Sequence, residues 1–135
     1  MVIKKKEEII VYQNHDPLLV SKQGIFPGVS LLPNNDLIII FSIGQAFDSS
    51  DQRAFVTKSK NNGRTWSIPK QLHNHIYENQ EETDTLKPLF LKNGDMIATG
   101  YAFVRPDPLT PIVDPISFDV LPLKNKICFS KDQGE

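Results

Sequence analysis

The 135-residue chain has one cysteine and one tryptophan, and no apolar run longer than five residues. The single thiol, Cys128, excludes an internal disulfide and leaves the redox compartment open. It lies in "KICFS", an apolar alternation, which reads as a buried strand thiol and not a nucleophile. The longest apolar run, "LIIIF" at 37–41, is strand-length, so no membrane-spanning helix is expected. Within residues 1–20 "IIVY" is too short for the apolar stretch of a signal peptide and is followed by "QNHD". A charge excess is also missing: 15 Lys and Arg face 16 Asp and Glu, for a net charge of −1. Neither nucleic acid nor an anionic membrane is therefore an expected partner. No window carries 3.6-residue apolar spacing over helix length. No Gly-rich phosphate loop and no Ser-His-Asp order can be assembled. "HNH" at 73–75 is a metal-binding pattern without further ligands, so neither a metal nor a cofactor is expected.

Short strands are what the chain does have. "VSLLP" (29–33), "DLIIIFS" (36–42), "RAFVTKS" (53–59), "PLFLK" (88–92), "DMIATGYAF" (95–103) and "KICFS" (126–130) are rich in β-branched and aromatic residues. Turn residues bound each one, and the ten prolines and seven glycines fall mostly between them. The chain reads as all-β.

Two hairpins repeat. "LLPNNDLIIIF" (31–41) aligns with "FLKNGDMIATG" (90–100), placing Asp36 on Asp95 and Asn34 on Asn93 at an offset of 59 residues. Asn35 falls on Gly94, and both residue types tolerate the positive φ of a two-residue hairpin turn. A polar motif also recurs: "SKNNGRTW" begins at Ser59 and "SKDQG" at Ser130, an offset of 71 residues. The added length falls in 104–124, which holds half of the prolines. A unit of hairpin, third strand, polar turn and fourth strand is the layout of a propeller blade. A small sandwich with two similar hairpins is the alternative.

"SKNNGRTW" resembles the Asp-box, Ser-x-Asp-x-Gly-x-Thr-Trp, of sialidases and other BNR-repeat proteins. Ser59, Gly63, Thr65 and Trp66 match, and Asn61 stands in place of aspartate. "SKDQG" matches at Ser130, Asp132 and Gly134. The resemblance implies the N-terminal part, about two blades, of a six-bladed sialidase-like propeller. Residues 1–23 would be a lead-in, 24–76 a first blade, and 77–135 a second blade ending inside an Asp-box at 130–135. The remaining blades would lie outside the chain. In the family the Asp-box is a peripheral hairpin turn, so the motif implies fold and not chemistry.

The same resemblance directs attention to "GQAFDSSDQ" (44–52) as the loop of the family's acid/base aspartate. Asp48 fits the spacing and Asp51 lies nearby. A polar turn built from default turn residues is the competing reading. The family binds the sialic acid carboxylate with arginines, the first in a Phe/Tyr-Arg-Ile-Pro motif. Here "GIFP" puts Ile25 in the arginine's place, and isoleucine cannot form the bidentate bonds of a guanidinium. Arg53 and Arg105 are candidates for binding a hydroxylated or anionic ligand, with exposed surface arginines as the alternative. Glu81, Glu82 and Asp84 read as a solvated acidic connector. The expectation is a glycan-acting hydrolase of the sialidase-like superfamily, inefficient on sialosides, whose partner is a carbohydrate or glycoconjugate. A non-catalytic carbohydrate-binding or interaction propeller is the second reading.

Overall fold

The computed structural model describes residues 7–14, 21–72, 76–77 and 80–132, with 76, 77 and 80–82 described as backbone alone. The described residues are all-β. Two four-stranded antiparallel sheets each follow chain order. The first holds β1 (Gln23–Leu31), β2 (Leu37–Gly44), β3 (Arg53–Ser59) and β4 (Lys70–Gln71). The second holds β5 (Ile76–Tyr77), β6 (Gln80–Phe90), β7 (Met96–Arg105) and β8 (Leu123–Ser130).

β3 spans the stretch read from the sequence. β6 instead begins at Gln80, eight residues before "PLFLK", because "QEETDTLK" pairs with β7 as far as Glu81 opposite Arg105. Polar residues enter a strand when the ladder and the neighbouring sheet satisfy them, a tertiary effect absent from local propensity.

The two repeated hairpin turns match bond for bond. Leu32 N donates to Asp36 O at 2.9 Å, and Leu91 N donates to Asp95 O at 2.8 Å. Asn35 N and Gly94 N donate to Leu32 O and Leu91 O at 3.0 and 3.1 Å. Asp36 N donates to Asn34 Oδ1 at 3.1 Å and Asp95 N to Asn93 Oδ1 at 3.2 Å. These are three-residue loops with one left-handed residue, not the expected two-residue turns: Asn35 has φ 67° and Gly94 has φ 98°. The extra residue is Pro33 or Lys92, and a proline's fixed φ suits the opening position of such a loop.

Side-chain alternation gives each sheet two faces. Ile38 and Ile40 of β2 with Ala54 of β3 form the front of the first sheet, fully buried against Leu86, Met96 and Ala98 of the second. Ile39, Phe41 and Ile43 form its back, covered by Val11 and Tyr12 and by Trp66. Leu86, Ala98 and Cys128 are therefore the back of the second sheet. Its front carries Leu89, Ile127 and Phe129, which are 55%, 53% and 73% exposed.

Gly100 makes close pairing on β7 feasible, since a Cβ there would meet Thr85 O at 1.7 Å. Polar bonds also join the sheets. Asp84 is fully buried, in contrast to the solvated connector expected of it. Its Oδ1 accepts from Ala54 N at 3.0 Å, filling the outer edge of β3 that the two-residue β4 leaves uncovered. Its other oxygen lies 4.0 Å from Lys126 Nζ. Ser42 Oγ and Gln52 Nε2 donate to Asp84 O at 3.0 and 3.2 Å.

Candidate functional site

Antiparallel register sets two ends on the first sheet. Ile43 pairs with Arg53 at one end, and Leu37 pairs with Ser59 at the other. The 45–52 loop closes the first end and the "SKNNGRTW" turn follows the second. Arg105 terminates β7 opposite Glu81, and its side chain reaches the 45–52 loop.

At the turn end the side chains hold one another. Ser59 Oγ accepts from Gly63 N at 2.8 Å and donates to Asn61 Oδ1 at 3.0 Å. Thr65 N donates to Asn61 Oδ1 and Asn61 Nδ2 to Thr65 Oγ1, both at 2.8 Å. Asn62 and Gly63 have φ 57° and 85°, the left-handed pair that glycine eases. Trp66 Nε1 donates to Gly63 O at 2.9 Å and its ring packs on the back of the sheet. Ser130 Oγ donates to Asp132 Oδ1 at 2.5 Å, the counterpart of the Ser59 bond. Gly134, like "HNH" at 73–75, lies outside the described residues.

The other end separates its two aspartates. Asp51 builds the loop: its Oδ1 accepts from Gln45 N at 3.0 Å and Ser49 Oγ at 2.6 Å, and Lys22 Nζ lies 3.5 Å from Oδ2. Burial works to raise its carboxyl, but these hydrogen bonds and the Lys22 ammonium prevail and hold it below the ordinary carboxylate value. Asp48 has a left-handed backbone, φ 52°, and its buried Oδ1 has no hydrogen-bond partner among the described residues. Burial pushes its carboxyl up, opposed by the nearby Arg105 charge. Asp48 therefore holds a proton to higher pH than a free aspartate, which suits a general acid.

Arg105 is 6% exposed. One terminal nitrogen donates to Asp48 O at 2.6 Å and the other to Thr110 O, while Nε is buried with no hydrogen-bond partner among the described residues. Arg53 Nη1 donates to Ser50 O and Gln52 O, both at 2.8 Å, bracing the loop from below. Ile25 is half-buried on β1, beside the bulge where Phe26 takes φ 55°. The Phe26 ring meets Phe47 edge-on at 4.9 Å, next to Asp48.

Tyr101 joins the site although no sequence motif marks it. Burial and then the Asp48 charge raise its phenol, against a hydrogen bond with Thr85. Period-two alternation along "YAFVR" puts Tyr101, Phe103 and Arg105 on one face, and that signal could have found it. Gln52 was also missed: fully buried, it accepts from Asp48 N at 3.0 Å and donates to Thr85 Oγ1 at 3.1 Å. Among the described residues no three His, Cys, Asp or Glu side chains gather as a metal cage.

No family model matches the chain, and no curated protein matches it. A solved structure, that of a protein of unknown function from Dyadobacter fermentans DSM 18053, aligns with 78% of the chain at 11% identity and a TM-score of 0.46. The chain spans 27% of that protein's length.

Proposed function

We propose that the chain is part of a sialidase-like propeller that acts on glycans, with Asp48 as its acid/base residue. The observation that carries this reading is the Asp48 carboxyl, raised by burial, left out of the loop's own bonding, and neighboured by Tyr101 and Arg105. Support for the architecture comes from the matched turns and from the stacking of the two sheets. The front of one sheet packs on the back of the next, and such head-to-tail contacts propagate to further sheets of the same kind. Under the 59-residue match Ile38 corresponds to Ile97 and Ile40 to Thr99, so the uncovered front of the second sheet is equivalent to the buried front of the first. The side-chain bonding of Ser59, Asn61, Gly63 and Thr65 agrees with an Asp-box turn remote from the chemistry.

In this reading Asp48 protonates the glycosidic oxygen as its bond to the anomeric carbon breaks, and a nucleophile from the remaining blades and then water take that carbon. Tyr101 stays a neutral hydrogen-bond donor, and Asp51 and Arg53 maintain the loop. The ligand is a neutral sugar in preference to a sialoside. Ile25 supplies no charge, and both terminal nitrogens of Arg105 are engaged by carbonyls. A carbohydrate-binding propeller without catalysis is the second reading, and Ile25 in the arginine's place favours it.

The test is turnover of a panel of chromogenic glycosides by the complete propeller and by its Asp48→Asn variant. A neutral glycoside should be hydrolysed, with a loss of roughly 10²–10⁴-fold in the variant. Binding of a sugar without turnover would favour the second reading. Efficient sialoside hydrolysis, or activity untouched by Asp48→Asn, would overturn the first.

A further inference from the structure

We infer that Arg105 is a positioning residue, a clamp that fixes the Asp48 backbone by tying the 45–52 loop to the 106–122 excursion. The inference rests on Asp48 being the working residue of this end, but its test does not depend on activity.

Aspartate tolerates φ 52° better than most residues, but the conformation still costs free energy that surrounding bonds can offset. Both peptide groups of Asp48 are held by side chains. Its N–H donates to Gln52 Oε1 at 3.0 Å, and its carbonyl accepts from Arg105 Nη2 at 2.6 Å. Gln52 is itself anchored to the second sheet through Asp84 O and Thr85 Oγ1. Arg105, from the end of β7, supplies the other hold. Its remaining terminal nitrogen donates to Thr110 O. One planar guanidinium thus spans two loop carbonyls, a geometry that a lysine ammonium does not reproduce.

The excursion is built to present Thr110. Asp107 Oδ1 accepts from Leu109 N at 2.8 Å and Thr110 N at 3.1 Å, and Asp107 Oδ2 accepts from Thr110 Oγ1. Further out, Asp114 N donates to Asp119 O and Leu121 N to Ile112 O, both at 2.8 Å. The path from Asp107 through Thr110 and Arg105 to Asp48 is continuous, although Asp107 makes no contact with Asp48.

The test compares backbone carbon shifts and amide relaxation at Asp48 in wild type, Arg105→Lys, Arg105→Met and Asp107→Ala. Arg105→Met should abolish the left-handed shift signature at Asp48 and leave Ser59–Trp66 unchanged. Arg105→Lys keeps the charge and should not restore it. Asp107→Ala, which removes no group that touches Asp48, should broaden the Asp48 amide. An unchanged Asp48 in all three variants would overturn the clamp. Full rescue by lysine would reduce it to a charge effect and overturn the fork. Should Arg105→Met not fold, the lysine and Asp107→Ala results decide. If Asp48→Asn keeps full turnover while Arg105→Met loosens Asp48, the catalytic reading fails and the clamp stands.

Discussion

Asp48 and Asp51 share one loop and are shifted in opposite directions, which gives them opposite pH signatures. The folded chain favours the protonated form of Asp48. That contribution to stability is present below the ordinary value of 3.8 and is lost as pH rises through the raised folded value. Asp48→Asn removes a carboxyl whose ionisation the folded chain disfavours, and asparagine also tolerates the left-handed backbone. Its Tm relative to wild type should therefore rise with pH. The folded chain favours ionised Asp51, so its contribution is present above 3.8 and is lost as pH falls through the depressed value. Asp51→Asn should lower Tm at pH 7, and the difference should shrink on acidification. Melting curves of both variants across the acid range check the two signs. Parallel behaviour would mean that the loop does not divide its carboxylates as described. Asp84→Ala is expected to cost roughly 1–3 kcal/mol in denaturant unfolding, because Ala54 N–H is left buried without an acceptor.

Among the elements, the polar turn after β3 offers the sharpest comparison. Asn61 Oδ1 does the accepting, and an aspartate oxygen can take its place while the Thr65 hydroxyl turns to donate. Asn61→Asp should leave stability within about 0.5 kcal/mol of wild type, as for a surface change that breaks no essential bond. Ser59→Ala should cost about 1–3 kcal/mol, since the buried Gly63 N–H loses its acceptor. Equal costs for the two, measured by urea unfolding, would contradict this bonding scheme. Local chemistry made the turn legible in the sequence: Ser, Asn, Gly and Thr each act within six residues. The β2 and β3 strands were legible for the same reason, through unbroken runs of apolar and β-branched residues. The first half of β6 was not. Only Thr83 of "QEETD" favours a strand, and Asp84 becomes strand because Ala54 and Ser42 of the other sheet and Gln52 of the 45–52 loop satisfy it. Arg105 was visible as a residue at a strand exit, but its partners Thr110 and Asp48 lie on different loops, and no local pattern links them. The same holds for Tyr101 and Gln52.

At the scale of the whole molecule, the consequence of front-to-back stacking is an uncovered front on the second sheet. Leu89, Ile127 and Phe129 leave a contiguous apolar surface, and such surfaces seek a partner. The chain should associate as its concentration rises, and Ile127→Lys with Phe129→Lys should weaken association without altering the 45–52 loop. Sedimentation of both forms reads this directly, and a wild-type monomer at every concentration would count against the open front. Function depends on which end of the sheets meets the ligand. The most direct measurement is nuclear magnetic resonance mapping of amide shifts while a panel of neutral sugars and a sialoside is titrated into the protein. Changes are expected at Phe47, Asp48, Tyr101 and Arg105 with a neutral sugar, and none at Ser59–Trp66. Changes centred on the Ser59–Trp66 turn, or a response to the sialoside alone, would contradict the proposed function.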